Sequence, residues 1–164
     1  MGAGKSCVGR LLAERTSWPL YETDELVSDR FALRISDVFA RYGEDAFREA
    51  EAQVVQALPQ ARAIVATGGG VVLRKGNVER LRALGAIVHL TASEDVLFRR
   101  LSRDNARPLL QSADPRSKLS EMLQARASLY RDAADVVMDT SAMTEDEVAE
   151  VILGEMAKLC TPIA

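Results

Sequence analysis

Short apolar runs alternate with segments of helical periodicity along this chain. Four of the runs, at residues 19–24, 63–67, 86–91 and 135–140, are candidate strands. Their apolar residues are consecutive, as is typical of parallel strands that are buried on both faces. The pattern therefore predicts a parallel sheet.

The segments between the candidate strands carry apolar residues at intervals of three and four, which predicts amphipathic helices. One such group is Ile35, Val38, Phe39 and Tyr42, and another is Val148, Val151, Ile152 and Met156. Thr144 and Glu147 have the spacing of a capping box just before the second group. Strands that alternate with helices predict an α/β fold, and a length of 164 residues predicts a single domain over residues 1–164.

Composition excludes several classes of function. The net charge is −3 and no block of basic residues exists, so we expect no electrostatically driven binding of nucleic acid. No apolar run is long enough to span a bilayer, and we expect no membrane partner. Cys7, Cys160 and the single histidine, His89, form no zinc-binding cluster. We expect both cysteines to be packing residues in a cytosolic protein.

The first six residues read Met-Gly-Ala-Gly-Lys-Ser, which matches the second half of the phosphate-binding P-loop G-x-x-x-x-G-K-[ST]. In that interpretation Lys5 reaches the β- and γ-phosphates of a nucleotide and the hydroxyl of Ser6 binds Mg²⁺. Val8, Leu11 and Leu12 then form the buried face of the following helix. The same six residues also fit an ordinary helix start.

Two candidate strands end in residues suited to ligand binding, at the edge where ligands bind in open α/β sheets. Asp24 follows the first, and its carboxylate is a candidate general base for a substrate hydroxyl or the N-cap of the next helix. Gly68, Gly69 and Gly70 follow the second, where they allow close approach of a ligand or form a flexible turn.

Three arginines stand out by their context: Arg48, Arg107 and Arg126. Arginine grips carboxylates and stabilises charge on a transferring phosphate, although a solvated surface position is the alternative for each. Arg107 falls in a polar, proline-containing segment, residues 103–115, which is a candidate mobile lid or a plain surface loop.

In combination these motifs resemble the shikimate kinase family, from residue 1 to about residue 151. The corresponding segments are Met1 to Ser6, Glu22-Thr23-Asp24, Gly43 to Glu51, Gly68 to Gly70, Arg107 to Leu110 and Arg126 to Tyr130. The resemblance implies a three-layer P-loop NTPase fold, with helices flanking a parallel sheet of order 2-3-1-4-5. It also implies transfer of the γ-phosphate of ATP to the 3-hydroxyl of shikimate, with Mg²⁺, in aromatic amino acid biosynthesis.

The resemblance also assigns roles to individual residues. Lys5, Asp24 and Arg107 are the implied catalytic residues. Implied ATP-binding residues are Gly2, Ala3, Gly4, Lys5, Ser6, Cys7, Arg100 and Arg107, and implied shikimate-binding residues are Asp24, Arg48, Gly68, Gly69, Gly70 and Arg126. Ser6, and Glu22 through water, are the implied Mg²⁺ ligands. The substrate-binding helical segment would cover about residues 25–58, and the enzyme would be a cytoplasmic monomer.

This chain departs from the family pattern at three places. Glu22 replaces the first aspartate of an Asp-x-Asp motif, and the proline usual after the Asp139-Thr140 segment is absent. The first strand and first P-loop glycine of the family would precede Met1. Because that strand is central, its loss would leave two sheet edges unpaired, so we expect the natural protein to extend N-terminally through a further apolar strand.

Two other functions fit parts of the pattern. One is a related small-molecule kinase such as a gluconate kinase, and the other is a non-catalytic ligand-binding module of shikimate kinase type. The combination of Asp24, Arg48, Gly69 and Arg126 favours a carboxylated cyclic acceptor over the first. Retention of Lys5, Asp24 and Arg107 favours an enzyme over the second.

Overall fold

The computed structural model describes residues 2–102 and 114–159, and it contains the alternating strands and helices that the sequence predicts. The strands are β1 (Leu20–Glu22), β2 (Ile64–Ala66), β3 (Val88–Thr91) and β4 (Val136–Asp139). The helices are α1 (Lys5–Thr16), α2 (Thr23–Phe31), α3 (Ile35–Ala57), α4 (Lys75–Leu84), α5 (Glu94–Leu101), α6 (Pro115–Ala133) and α7 (Glu145–Leu159), with a short 3₁₀ helix at Val71–Leu73. The α/β prediction is confirmed.

The strands form two parallel pairs. Strand β1 pairs with β2, with Leu20 opposite Ile64, and β3 pairs with β4, with Val88 opposite Val136. Within residues 2–102 and 114–159, no ladder joins β2 to β3. The two pairs correspond to strands 2-3 and 4-5 of the predicted order.

Buried apolar side chains form two separate clusters. The larger cluster includes Ala3, Val8, Ile64, Leu90, Leu97, Leu101, Leu119, Met138, Val148 and Ile152. The smaller cluster includes Val27, Val38, Phe47, Ala50 and Val54. The first therefore supports the start of α1, and the second holds α2 against α3.

Helix α1 lies close against β1 and β2 because a glycine faces the strands. A methyl group at Gly9 would lie 3.3 Å from Leu20 Cδ1 and 3.4 Å from the Cβ of Ala66. Val8 and Leu12 are buried and Leu11 packs against the larger cluster, as predicted for this helix. This contact places the N-terminal end of α1 beside the ends of β1 and β2.

Two predicted helix faces are only partly buried. Tyr42 and Val151 are 47% and 43% exposed, although their spacing assigned them to the buried faces. The reason at Tyr42 is a kink at the next residue, since Gly43 has a φ of 81° and interrupts the helical geometry of α3. No helix within the described part of the chain is long and apolar enough to cross a membrane.

Candidate active site

A loop of small residues precedes α1. Gly2 and Gly4 have φ values of 71° and 85°, a conformation that is strained for residues with side chains, and Gly4 is the N-cap of α1. Helix α1 therefore begins at Lys5 with its first N–H groups directed out of the helix end. Those groups and the helix dipole favour an anion at this position.

The residues predicted to surround nucleotide phosphates all lie on this loop and the first turn of α1. Ala3 is buried, Lys5 and Ser6 are half-buried, and Cys7 is exposed. The expectation that Cys7 is a packing residue is therefore wrong, because its place on the helix turns it to solvent.

His89 on β3 lies close enough to Lys5 to be affected by its charge. Burial and, secondly, the positive charge of Lys5 lower the pKa of His89.

Helix α5 fixes the position of the loop and also carries Arg100. A methyl group at Gly2 would lie 3.2 Å from Leu101 Cγ and 3.3 Å from the carbonyl oxygen of Leu97, so the loop and α5 are in close contact. The Arg100 guanidinium donates to the hydroxyl and carbonyl oxygens of the buried Thr140, at 3.0 and 2.9 Å. Arg100 thus lies against the Asp139-Thr140 segment, and its flat faces suit stacking on a base.

The ends of β1 and β2 are joined by a hydrogen bond. The backbone N–H of Gly68 donates to the hydroxyl of Thr23 at 3.0 Å, and both residues are buried. A methyl group at Gly68 would collide with the Oδ1 atom of Asp24. Asp24 is the second residue of α2, whose N-cap is Glu22, so the alternative that made Asp24 the N-cap is wrong because the helix already begins at Thr23.

Arg48 lies beside Gly70, the last residue of the glycine loop. Its guanidinium donates to Glu51 at 2.9 Å and to Glu44 at 3.1 Å, and a methyl group at Gly70 would overlap it. Burial opposes the charged form of Arg48, but the bonds to Glu51 and Glu44 outweigh this and raise its pKa. Arg48 is therefore a fixed cation beside Gly70, suited to a carboxylate ligand.

Glu51 contacts the candidate site, although the sequence motifs include it without assigning it to the site. It is 1% exposed, its Oε2 atom accepts from Arg48, and its Oε1 atom has no hydrogen-bond partner. Burial raises the pKa of its carboxyl, against the opposing effect of Arg48. The spacing of Glu51, three residues after Arg48 on one helix face, was the available signal in the sequence.

Helix α6 carries the second predicted carboxylate-binding arginine. Arg126 is half-buried, and Tyr130 lies one turn later on the same helix face. The Tyr130 hydroxyl donates to the carbonyl oxygen of Gly69 at 2.5 Å. This bond brings the face of α6 that carries Arg126 to the glycine loop.

Glu22 and Ser6 are hard oxygen donors at the junction of α1 and β1. The Glu22 carboxylate accepts from Arg10 at 2.8 Å, and Arg10 lies one turn after Ser6 on α1. The part of the chain that the structure describes has no group of three or more His, Cys, Asp or Glu side chains that could hold a metal. These oxygen donors fit Mg²⁺, because nucleotide-binding sites usually hold this ion by one or two protein oxygens together with phosphates and water.

Arg107 and most of the predicted lid, residues 103–113, lie outside the described residues, as does Cys160. The end of the predicted lid belongs to α6. Asp114 is the N-cap of this helix and accepts from the N–H of Ser117 at 3.0 Å, and Pro115 is its first residue.

The anion-binding helix end and the Asp24–Arg48 cluster share one edge of the fold, which is the organisation of a P-loop kinase that phosphorylates a small molecule. Comparison with known proteins narrows this class. The family model described as shikimate kinase matches residues 1–157. A shikimate kinase from Thermodesulfovibrio yellowstonii is 41% identical over 160 residues, covering 97% of this chain and 92% of the relative. One from Pseudomonas syringae pv. tomato is 43% identical, covering 97% and 93%.

Solved structures give the same result. The shikimate kinase from Acinetobacter baumannii in complex with shikimate has a TM-score of 0.90 at 33% identity, covering 98% of this chain and 90% of that one. The shikimate kinase from Bacteroides thetaiotaomicron has a TM-score of 0.85 at 28% identity, covering 96% and 94%. The chain belongs to the shikimate kinase family, as the sequence motifs predict.

Proposed function

We propose that this protein transfers the γ-phosphate of ATP to the 3-hydroxyl of shikimate, in the pathway to chorismate and the aromatic amino acids. One observation carries the proposal: Asp24, Arg48 and the loop Gly68–Gly70 converge at the ends of β1 and β2, beside the phosphate-binding start of α1. Membership of the family, and a relative with shikimate bound, support this choice of acceptor.

The nucleotide half of the reaction rests on α1 and α5. The first-turn N–H groups of α1 and the Lys5 ammonium hold the phosphates, and Arg100 packs on adenine. Ser6, and Glu22 through water, would hold Mg²⁺, which supplies charge neutralisation between the phosphates. Arg10 keeps the Glu22 carboxylate over the face of α1 that carries Ser6. Arg107 adds transition-state charge stabilisation.

The acceptor half uses the two arginines and the glycine loop. Arg48 and Arg126 bind the shikimate carboxylate, and Gly68, Gly69 and Gly70 allow the ring to approach the backbone. Asp24 lies against Gly68, where its carboxylate accepts the hydrogen bond of the attacking hydroxyl and takes its proton. Phosphoryl transfer needs little more than this positioning and charge stabilisation.

The remaining parts of the proposal concern organisation. The chain acts as a single kinase domain, with the substrate-binding segment at about residues 25–58 and the lid at about 103–113, before α6. It works as a cytoplasmic monomer, with no nucleic acid or membrane partner. Small-angle scattering at several concentrations tests the monomer, because a dimer would double the forward scattering per unit mass.

Shikimate-dependent ADP formation tests the activity. Purified protein with Mg-ATP should release ADP when shikimate is added, and the same reaction with gluconate should stay at background. Lys5→Ala is the matched loss-of-function control, because it removes the phosphate-binding charge. ADP formation with gluconate but not with shikimate would assign the chain to the alternative kinase. Shikimate binding by calorimetry without turnover would favour the non-catalytic binding module.

A further inference from the structure

Tyr130 joins three elements that the proposed mechanism treats separately. Its hydroxyl, on α6, donates to the carbonyl oxygen of Gly69 at 2.5 Å. Its ring stacks on the imidazole of His89 from β3, with ring centroids 4.8 Å apart and planes inclined by 19°. The side chain is half-buried and belongs to none of the residues assigned to catalysis or ligand binding above.

The glycine loop depends on its neighbours for its conformation. Three successive glycines have no side chains with which to fix their backbone, and glycine has the widest choice of backbone angles. Neighbouring elements supply the constraint instead: Thr23 accepts from the Gly68 N–H, and the Arg48 guanidinium occupies the space beside Gly70. Tyr130 supplies the bond to the carbonyl between them. Because a peptide unit is planar, fixing the Gly69 carbonyl also fixes the direction of the Gly70 N–H.

The same bond sets the register of α6. Residues four apart on a helix lie on one face, so Arg126 is the neighbour of Tyr130 one turn closer to the N-terminus. Movement of α6 along its axis would break the bond to Gly69 and would displace Arg126 relative to Arg48. A tyrosine is suited to this task because its ring is rigid and its hydroxyl projects a fixed distance from the helix.

His89 holds the ring of Tyr130 in place. Burial lowers the pKa of His89 from 6.5, with a further contribution from the charge of Lys5, so the imidazole is neutral at pH 7. The contact is therefore a stack of two neutral rings. The stack restricts the orientation of the phenol ring, whose hydroxyl donates to Gly69.

We propose that Tyr130 is a positioning residue for the acceptor: its hydroxyl fixes the Gly69–Gly70 peptide and aligns Arg126 with the glycine loop, and His89 holds its ring. The proposal rests on the proposed function, since it concerns how shikimate is bound. It predicts an effect on acceptor affinity that is separate from nucleotide affinity, because Tyr130 contacts the loop and β3 rather than the phosphate-binding turn.

Tyr130→Phe tests the proposal, because it removes the hydroxyl and keeps the ring that stacks on His89. We expect the KM and the calorimetric Kd for shikimate to rise about five- to tenfold, as for loss of one hydrogen bond, with the KM for ATP nearly unchanged and the thermal midpoint lowered by only about 2–4 °C. Tyr21→Phe is the matched control, since it removes the same hydroxyl from β1, outside the proposed substrate-binding segment, and should change neither affinity.

His89 provides a rescue series. His89→Ala removes the stack and should weaken shikimate binding in the same direction as Tyr130→Phe, whereas His89→Phe retains a flat ring and should restore it. If Tyr130→Phe leaves shikimate affinity unchanged, or weakens ATP binding equally, the positioning role is wrong while the proposed function stands. If the unaltered protein binds no shikimate in the calorimeter, the proposed function fails and the acceptor role of Tyr130 fails with it.

Discussion

At the scale of single residues, the absence of side chains in the glycine loop leaves space for two charged groups. A methyl group at Gly68 would meet the carboxylate of Asp24, and one at Gly70 would overlap the guanidinium of Arg48. In both cases the atom displaced belongs to the far end of a side chain and not to the backbone. Alanine at either position would therefore move a functional group while leaving the fold in place.

Gly70→Ala should raise the KM for shikimate roughly 10–100-fold, because Arg48 must leave the space it occupies and charge-assisted hydrogen bonds are strong. Steady-state kinetics with a thermal melt measure this, and the midpoint should move little. Gly76→Ala on α4 is the matched control, since a methyl group there meets nothing within 4 Å. It should leave the kinetics unchanged and raise the midpoint slightly. Equal kinetic effects of the two variants would contradict the role of Arg48.

Asp24→Asn should lower kcat by about 10²–10⁴ and leave ATP affinity close to that of the unaltered protein. The amide is nearly the same shape as the carboxylate but cannot take the proton of the attacking hydroxyl. ADP formation under saturating shikimate gives kcat, and nucleotide titration followed by calorimetry gives the Kd for ATP. An equal loss of ATP binding would mean that Asp24 acts on the nucleotide and not on the acceptor.

At the scale of elements, the start of α7 is set by a side-chain cap that is readable in the sequence. Helix α7 begins with the predicted capping box: the Thr144 N–H donates to Glu147 at 2.8 Å, and the Glu147 N–H donates to the Thr144 hydroxyl at 3.3 Å. The bonds from Thr144 lower the pKa of the Glu147 carboxyl below its ordinary value of 4.5. The charged form of Glu147 is thus favoured in the folded protein.

Glu147→Gln should lower the thermal midpoint at pH 7, because it removes the carboxylate from the cap and from the N-terminal end of the helix dipole. A group whose pKa is lowered on folding stabilises the protein above its unfolded pKa and loses that effect as the pH falls through the folded pKa. The difference between the two midpoints should therefore shrink below about pH 4.5. Glu150→Gln, an exposed change on the same helix, should show a smaller and less pH-dependent difference.

The elements themselves were largely predictable. The structure contains all four predicted strands and the helices predicted around Ile35 and Val148, because continuous apolar runs and helical periodicity are local signals. Each strand is shorter than predicted by one or more residues at an end. Contacts between distant segments could not be predicted from these local signals. The bond from Tyr130 to Gly69 joins residues 61 positions apart, and Glu51 is buried although charge alone assigns it to the surface. The residue roles implied by the family resemblance remain predictions.

At the scale of the whole molecule, the two binding regions rest on different packing clusters. The phosphate-binding loop belongs to the larger cluster through Ala3 and Val8, which pack with α5 and α7. Helices α2 and α3, which carry Asp24 and Arg48, enclose the smaller cluster around Val27. A change in packing acts on the residues in direct contact with it. A cavity in one cluster should therefore loosen the binding region that rests on that cluster first.

Two matched cavity variants test this division. Val27 on α2 and Val148 on α7 are valines in helices with 0% and 1% exposure, and each change to alanine should lower the free energy of unfolding by about 1–3 kcal/mol. Val27→Ala should in addition raise the KM for shikimate several-fold with little change for ATP, because Val27 lies one turn after Asp24. Val148→Ala should leave the KM for shikimate near its original value. Denaturant unfolding and steady-state kinetics on both variants give the comparison, and a rise in the KM for shikimate of similar size in the two would show that the clusters act as one support.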